Sequence, residues 1–349
     1  MSTNKRPTCP SCTRPTKLCL CTRFKNPILD NTISVTVLQH SLEKKHPLNS
    51  ARIATLGLKN ISLVHVSDVL NEAQFQIQCI QSNADVGQNG SVQKCEKIES
   101  LHVFESNGDL GRNDSVENGE KIGSFDMGLN DLSEKCEKIE SLSFCDSNLD
   151  VGLNGLVENG EKMESLKPMD ISFTIDKKGV IIKNYGFDKL LVDQCAIRNG
   201  FNVKKIRKAN DGKCVKEFEI NVGPGSLLLF PSEGSVGVED IGFDVKNLIV
   251  LDGTWGKATR MYKENPWLKL LPHLKLDIDK MSLYAEVRRQ PKAGYLSSIE
   301  SIVYAMKAIG GEDVEKLDCL LDVFESMVVD QRRCKDEALN LVESNITSM

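Results

Sequence analysis

Between Asn247 and Pro272 the sequence NLIVLDGTWGKATRMYKENPWLKLLP changes its hydrophobic period halfway. Leu248 to Leu251 form an unbroken apolar run, the pattern of a short buried strand. Asp252, Gly253, Thr254 and Trp255 follow at once. From Gly256 onward, Met261, Leu268 and Leu271 alternate with Lys257, Arg260 and Lys263 at helical spacing. The spacing predicts strand, tight turn, helix, which commits this part of the chain to an α/β sheet. An acid, a hydroxyl and an indole then lie outside the carboxyl end of a strand, where open α/β sheets bind ligands. Lys257, Arg260 and Lys263 share roughly one helix face. One acid beside such a basic ridge suits a phosphate-bearing substrate. A plainer reading uses the same residues, because Asp and Thr cap helices and Trp fills cores. Gly256-Lys257-Ala258-Thr259 is not a phosphate-binding loop: no glycine precedes it at the required distance, and Ala258 stands where the magnesium-binding hydroxyl belongs.

Cys9, Cys12, Cys19 and Cys21 lie in CPSCTRPTKLCLC, a CxxC followed closely by CxC. Four thiolates so close suit a tetrahedral Zn²⁺ site, which would fold a segment with almost no apolar residues of its own. Free surface thiols are the bland alternative. A redox motif is a poor fit, because no strand precedes the CxxC. The start MSTNKRPTCP has no apolar signal core, and no apolar run approaches the ~20 residues needed to span a bilayer. A reducing compartment, cytoplasm or nucleus, is therefore expected, with no disulfide framework.

Ser82 to Leu166 has a different character. A D-x-G-x-N pattern, followed by E-K after six intervening residues, begins at Asp85, Asp109, Asp126 and Asp150, and KCEKIESL occurs at Lys94 and again at Lys135. A solenoid is the sharp reading of such repeats. Unequal spacing and few apolar positions favour disorder with transient helix instead. Cys95, Cys136 and Cys145 read as bystanders there. The stretch holds 18 acids and 7 bases, so the chain's net charge of -5 conceals +6 on the remainder. A basic body is compatible with RNA without identifying it as the ligand.

Elsewhere, Ile33, Val35 and Val37 alternate as a first strand ending near His40, and Ile61 to Val66 reads as a second. Leu48, Ile53, Leu56 and Leu58 place Asn49, Arg52 and Lys59 on a helix. ISFTI, GVIIKNY and VKEFEI follow Asp170 as strands, with a helix from about Phe187, and part of Asp170 to Asn221 reads as an elaboration. Ser226 to Phe230 is an apolar strand ending in Pro231-Ser232-Glu233-Gly234, either a ligand-accepting strand end or a plain turn. In Tyr284 to Lys292, the bases Arg288, Arg289 and Lys292 suit phosphate contacts. Ser297 or Ser298 with Glu300 forms a capping arrangement ahead of a helix, and Leu317 to Val342 is a last amphipathic helix.

Asp252-Gly253-Thr254-Trp255 resembles the D-x-T-W signature of the DTW-domain family. Gln39-His40 with Asn49-Ser50-Ala51-Arg52, Leu229 to Glu233, Leu296 to Glu300 and the cysteine-rich start resemble the family in matching order. The resemblance implies an α/β, SPOUT-like fold with a mostly parallel sheet, knotted or not, behind a zinc knuckle whose bases lie against RNA. It implies a tRNA-uridine aminocarboxypropyltransferase that uses S-adenosylmethionine and attacks from uridine N3. Asp252, Thr254 and Trp255 would be catalytic. Ser232, Glu233, Leu251, Ser297 and Glu300 would face the co-substrate. Arg52, Lys257, Arg260, Lys263, Arg288, Arg289 and Lys292 would face RNA. The expected layout is a four-cysteine, zinc-knuckle-like segment over residues 1–30, a first part of the domain over 31–81, the insertion over 82–166 and a second part over 167–349. Partners would be tRNA, with neither membrane nor DNA. A SPOUT-type RNA methyltransferase and a non-catalytic zinc-knuckle RNA-binding protein are the two competing readings.

Overall fold

The computed structural model describes residues 7–80, 170–192, 195–208, 212–287 and 294–347. In chain order, the first elements are β1 (Ser34–His40), α1 (Ala51–Gly57), β2 (Ile61–Val66) and β3 (Glu72–Cys79). Next come β4 (Asp170–Asp176), β5 (Ile181–Tyr185), α2 (Phe187–Val192), α3 (Cys195–Asn199), β6 (Phe201–Lys208) and β7 (Cys214–Val222). The last group is β8 (Ser226–Leu229), β9 (Asn247–Asp252), α4 (Trp255–Lys263), β10 (His273–Leu274), α5 (Ser298–Ile309) and α6 (Val314–Thr347).

One sheet is parallel, in the order β10-β8-β9-β1-β2. Its central strands are apolar on both faces, as strands covered on both sides must be. Leu227, Val35, Val37, Leu248 and Val250 pack into a core shared with α1, α5 and α6. Leu228, Leu38, Ile249 and Leu251 point the other way, into a core with Met261 of α4 and Trp267. That second core is completed by a five-stranded antiparallel sheet, order β5-β4-β3-β6-β7, through Phe75, Phe173 and Phe201.

The expectation of a single, mostly parallel sheet therefore describes half of the strands. The antiparallel sheet depends on β3 and β6: β3 alternates Ala73, Phe75 and Ile77 with Gln, and β6 turns Phe201, Val203 and a buried Lys205, paired with Glu217, to the same side. Two helical expectations also change. α4 stops at Lys263, because Asn265-Pro266 interrupts it and proline cannot donate its N–H. Leu268 and Leu271 belong to the segment beyond. α1 carries Arg52 but neither Asn49 nor Lys59, which flank it.

Gln78 of β3 and Asp170 of β4 are register partners, so the chain leaves and re-enters the antiparallel sheet at one point. The repeats of 82–166, with Cys95, Cys136 and Cys145, lie outside the described residues, as do Arg288, Arg289 and Lys292. Among the described residues no helix is long and apolar enough to cross a membrane.

Candidate active site

The parallel register of β1 and β9 sets Gln39 beside Asp252 at the carboxyl ends of both strands. Asp252 is 5% exposed, and three side chains donate to it. Ser298 Oγ reaches Oδ1 at 2.6 Å, Gln39 Nε2 reaches Oδ2 at 2.9 Å, and Asn49 Nδ2 reaches Oδ2 at 3.4 Å. Each donor comes from a different element: the end of β1, the approach to α1 and the first residue of α5. A carboxylate offers about four acceptor positions, so one remains. Burial pushes the Asp252 carboxyl above its ordinary value, Ser298 and Gln39 pull it down, the Glu43 charge pushes it up again and Asn49 opposes that.

A cavity of about 690 Å³ opens beside Asp252, within the range typical of small-molecule sites. Leu251, Thr254, Trp255 and Ser297 line it, as do Leu229, Phe230 and Tyr284. Thr254 also caps α4, accepting from the Lys257 N–H, so one residue both caps the helix and lines the cavity. The Trp255 ring stacks on Tyr295, with centroids 4.0 Å apart. Among the described residues, the charged side chains lining the cavity are Glu43, Asp252, Asp277 and Asp279 against Lys275 alone. This acidic lining favours a cationic ligand, with apolar and aromatic walls for a flat ring system.

Other expected site residues sit elsewhere. Ser232 and Glu233 lie on the turn after β8, outside the cavity lining, and Ser232 is tied to Ser235. Glu300 is buried and outside the cavity lining. It closes a capping box with Ser297 and accepts from Ser282 Oγ at 2.5 Å and Leu283 N at 2.9 Å. Arg52 donates to the Lys44 carbonyl at 3.0 Å; burial pulls its pKa down, while charge on Cys12 and Asp252 pulls it up.

The basic ridge on α4 is partly committed within the protein. Lys257 Nζ approaches His40 Nδ1 at 3.3 Å, and the Leu42 N–H donates to the same nitrogen. These two donors leave the His40 proton on Nε2, facing Asp68 Oδ1 at 3.0 Å. Arg260 bridges Asp68 and Glu264. Lys263 is exposed.

The four N-terminal sulfurs lie within 4.8 Å of one another, with Cys9–Cys21 at 3.8 Å and Cys12–Cys19 at 3.7 Å. A tetrahedron with Zn–S bonds of ~2.3 Å has edges of about 3.8 Å, so the donor set fits zinc. Backbone N–H groups of Cys12 and Ser11 pull the Cys9 thiol down to about 6, whereas burial pushes Cys21 up to about 12. The segment docks on α6 through Arg23, which pairs with Asp330 at 2.5 Å and donates to Ser326 Oγ at 3.1 Å. Arg14, expected to face RNA, is instead buried near Asp330; its burial lowers its pKa and Asp330 opposes that.

Asn49, Gln39 and the Leu296–Glu300 block were legible from the family pattern; Tyr295, Glu43, Asp277 and Asp279 were not. Tyr295 lies just beyond the basic run and carries no spacing signal of its own. The two aspartates sit in an irregular segment without periodicity.

The DTW domain family model matches residues 6–105 and 193–332, more than half of the chain. A Drosophila melanogaster protein named tRNA-uridine aminocarboxypropyltransferase 2 is 34% identical over 88 residues, 25% of this chain and 35% of that protein. A Mus musculus protein of the same name is 24% identical over 132 residues, 37% of this chain and 40% of that protein. The matched segments thus span well under half the length of these relatives. No solved structure matches the chain. On the extent of the family match, with its Asp252-Gly253-Thr254-Trp255 turn at the mouth of an acidic cavity, the chain belongs to the DTW domain family.

Proposed function

We propose that this protein is a tRNA-modifying transferase, moving the 3-amino-3-carboxypropyl group of S-adenosylmethionine to N3 of a uridine. The observation that carries this reading is the cavity itself. Four carboxylates against one ammonium suit a sulfonium-bearing nucleoside, and a buried acid at a strand end faces its interior. The names of the two relatives and the parallel sheet with its site at the strand ends support it. The sulfonium renders the carbons bonded to it electrophilic. Uridine N3 forms a bond to the γ-carbon as the sulfur–carbon bond breaks. The bond pair returns to sulfur, leaving 5′-methylthioadenosine, and the N3 proton passes to Asp252. Burial suits Asp252 to that task, because a carboxyl raised above its ordinary value is a better match for a weakly acidic N–H.

Trp255 and Tyr295 form the aromatic wall, while Leu251 and Ser297 line the co-substrate side. Arg288, Arg289 and Lys292 fall between Val287 and Gly294, beside the cavity-lining Gly294 and Tyr295 in sequence, and are assigned to the RNA backbone. Zn²⁺ held by Cys9, Cys12, Cys19 and Cys21 would be structural. Incubating the protein with S-adenosylmethionine and unmodified tRNA is expected to release methylthioadenosine and yield the aminocarboxypropylated uridine. S-adenosylhomocysteine with a methylated base would identify a methyltransferase. RNA binding with no turnover would identify a non-catalytic binder.

A further inference from the structure

The cavity is acidic, so an RNA backbone needs its counter-charges elsewhere. The turn joining β4 and β5 carries Lys177 and Lys178 and closes at Gly179, with φ +80°. A Cβ there would stand 2.6 Å from the Lys263 carbonyl oxygen. Only glycine meets both conditions, and its use presses the turn, backbone to backbone, against the last turn of α4. A depression of about 270 Å³ results, lined by Lys177, Lys178, Thr259, Arg260 and Lys263. Gly256 meets nothing within 4 Å and leaves its α4 side open.

The acids nearby are already engaged. Glu264 is buried and accepts from Arg260 and from the Val69 N–H. Asp176 accepts the N–H groups of Lys178 and Val180 within the turn. Arg260 is held by Asp68 and Glu264. Lys177, Lys178 and Lys263 are exposed, and among the described residues none makes an ion pair. Three ammonium groups line one depression whose acids, Asp176 and Glu264, already accept hydrogen bonds from other groups, and a polyanion lowers the repulsion that remains among the lysines. α4 starts at the cavity with Trp255, and Lys263 lies ~12 Å further along its axis. The β4–β5 hairpin lies between the two segments that the family model matches.

We propose that the β4–β5 turn and the outer face of α4 form a docking site for tRNA backbone phosphates, with Lys177, Lys178 and Lys263 as phosphate ligands and Arg260 as their brace. The inference rests on the tRNA reading above. The test compares wild type with K177Q/K178Q/K263Q in binding an unmodified tRNA transcript across a salt series. Each phosphate contact contributes about 0.7–0.9 to the slope of log K against log salt, so the slope should flatten by roughly 2. KM for tRNA should rise about tenfold or more, while kcat and KM for S-adenosylmethionine stay at wild-type values. K177R/K178R/K263R should restore binding, separating charge from packing. If wild type modifies tRNA and the glutamine variant shows the same slope and KM, the docking site is wrong and the enzymatic reading stands. If wild type neither binds nor modifies tRNA, the enzymatic reading falls and takes this inference with it.

Discussion

Gln39 and Asp252 are neighbours in the parallel register of β1 and β9, and the amide of the first donates to the carboxylate of the second at 2.9 Å. A hydrogen bond between side chains 213 residues apart thus joins the two strand ends that form the floor of the site. Ser298 and Asn49 complete the set, so Asp252 is fixed in orientation before any substrate arrives.

Asp252→Asn keeps the shape and removes the charge. General-base catalysis contributes ~10²–10⁴ in rate, so kcat should fall by about that factor while the affinity for S-adenosylmethionine changes little. Single-turnover assays and equilibrium binding of the co-substrate separate the two effects. Wild-type turnover by the Asn variant would remove Asp252 from the chemistry.

The raised Asp252 pKa has a definite sign in pH experiments. Between the ordinary carboxylate range and the raised folded value, the native state keeps a proton that the unfolded chain has lost. Stability therefore falls as pH rises through that window and levels off above the folded value. Asp252→Asn lacks this slope, so its melting temperature relative to wild type should climb as pH rises through the same window. The acid limb of kcat/KM should likewise lie above ~3.9, the ordinary value for Asp. A limb at or below that value would contradict the assignment.

Metal analysis of freshly purified, never-chelated protein should find one zinc per chain, and Cys21→Ser should lose most of it. Cys12 and Leu20 are packed against the α5–α6 core, so the loss should also lower the melting temperature. Zinc-free wild type with an unchanged melting curve would leave the four thiols as a plain packed turn.

Glu300→Ala should behave as a stability variant. It strands the donors at Ser282, Leu283 and Ser297, a loss of about 1–3 kcal/mol for a buried network of this kind, read by denaturant unfolding. An unchanged unfolding midpoint with a collapsed co-substrate affinity would return Glu300 to the binding site.

Replacing residues 82–166 by a short Gly/Ser linker should leave both melting temperature and turnover near wild type. Paired strands bring partner Cα atoms to within ~5.5 Å, so Gln78 and Asp170 need only a short bridge. A collapse of either measurement would show that the repeats contribute to the folded body.

What the sequence showed and what it concealed divide along physical lines. The β9–α4 unit was legible because its apolar period changes within a few residues, and the Ser297–Glu300 cap because its chemistry is local. Lys257 read as a free base because its partner His40 is more than 200 residues away in the chain, whereas the tighter partner of Arg260, Glu264, lies four residues on and was within reach of the helical spacing. β6 was overlooked because Lys205 takes an inward position and Ile206 an outward one, which breaks the apolar alternation; β3 alternates cleanly, and its signal was present in the sequence. The convergence of Lys177 and Lys178 on Lys263 depends on Gly179, whose close approach to another backbone leaves no trace in spacing or composition.

The position of β1 has a consequence for how the protein is made. β1 lies between β2 and β9, so on one side it has no partner until residues 247–252 have been synthesised. At ~5–20 residues per second, the 213 residues from Gln39 to Asp252 take on the order of 10–40 s. For that interval a strand bearing Val35, Val37 and Leu38 leaves the ribosome with an open edge, and the repeats of 82–166 lengthen the wait. The parallel sheet cannot close from the amino end as it emerges. Its completion waits for residues 247–252, and until they emerge that edge is open to pairing with a neighbouring chain.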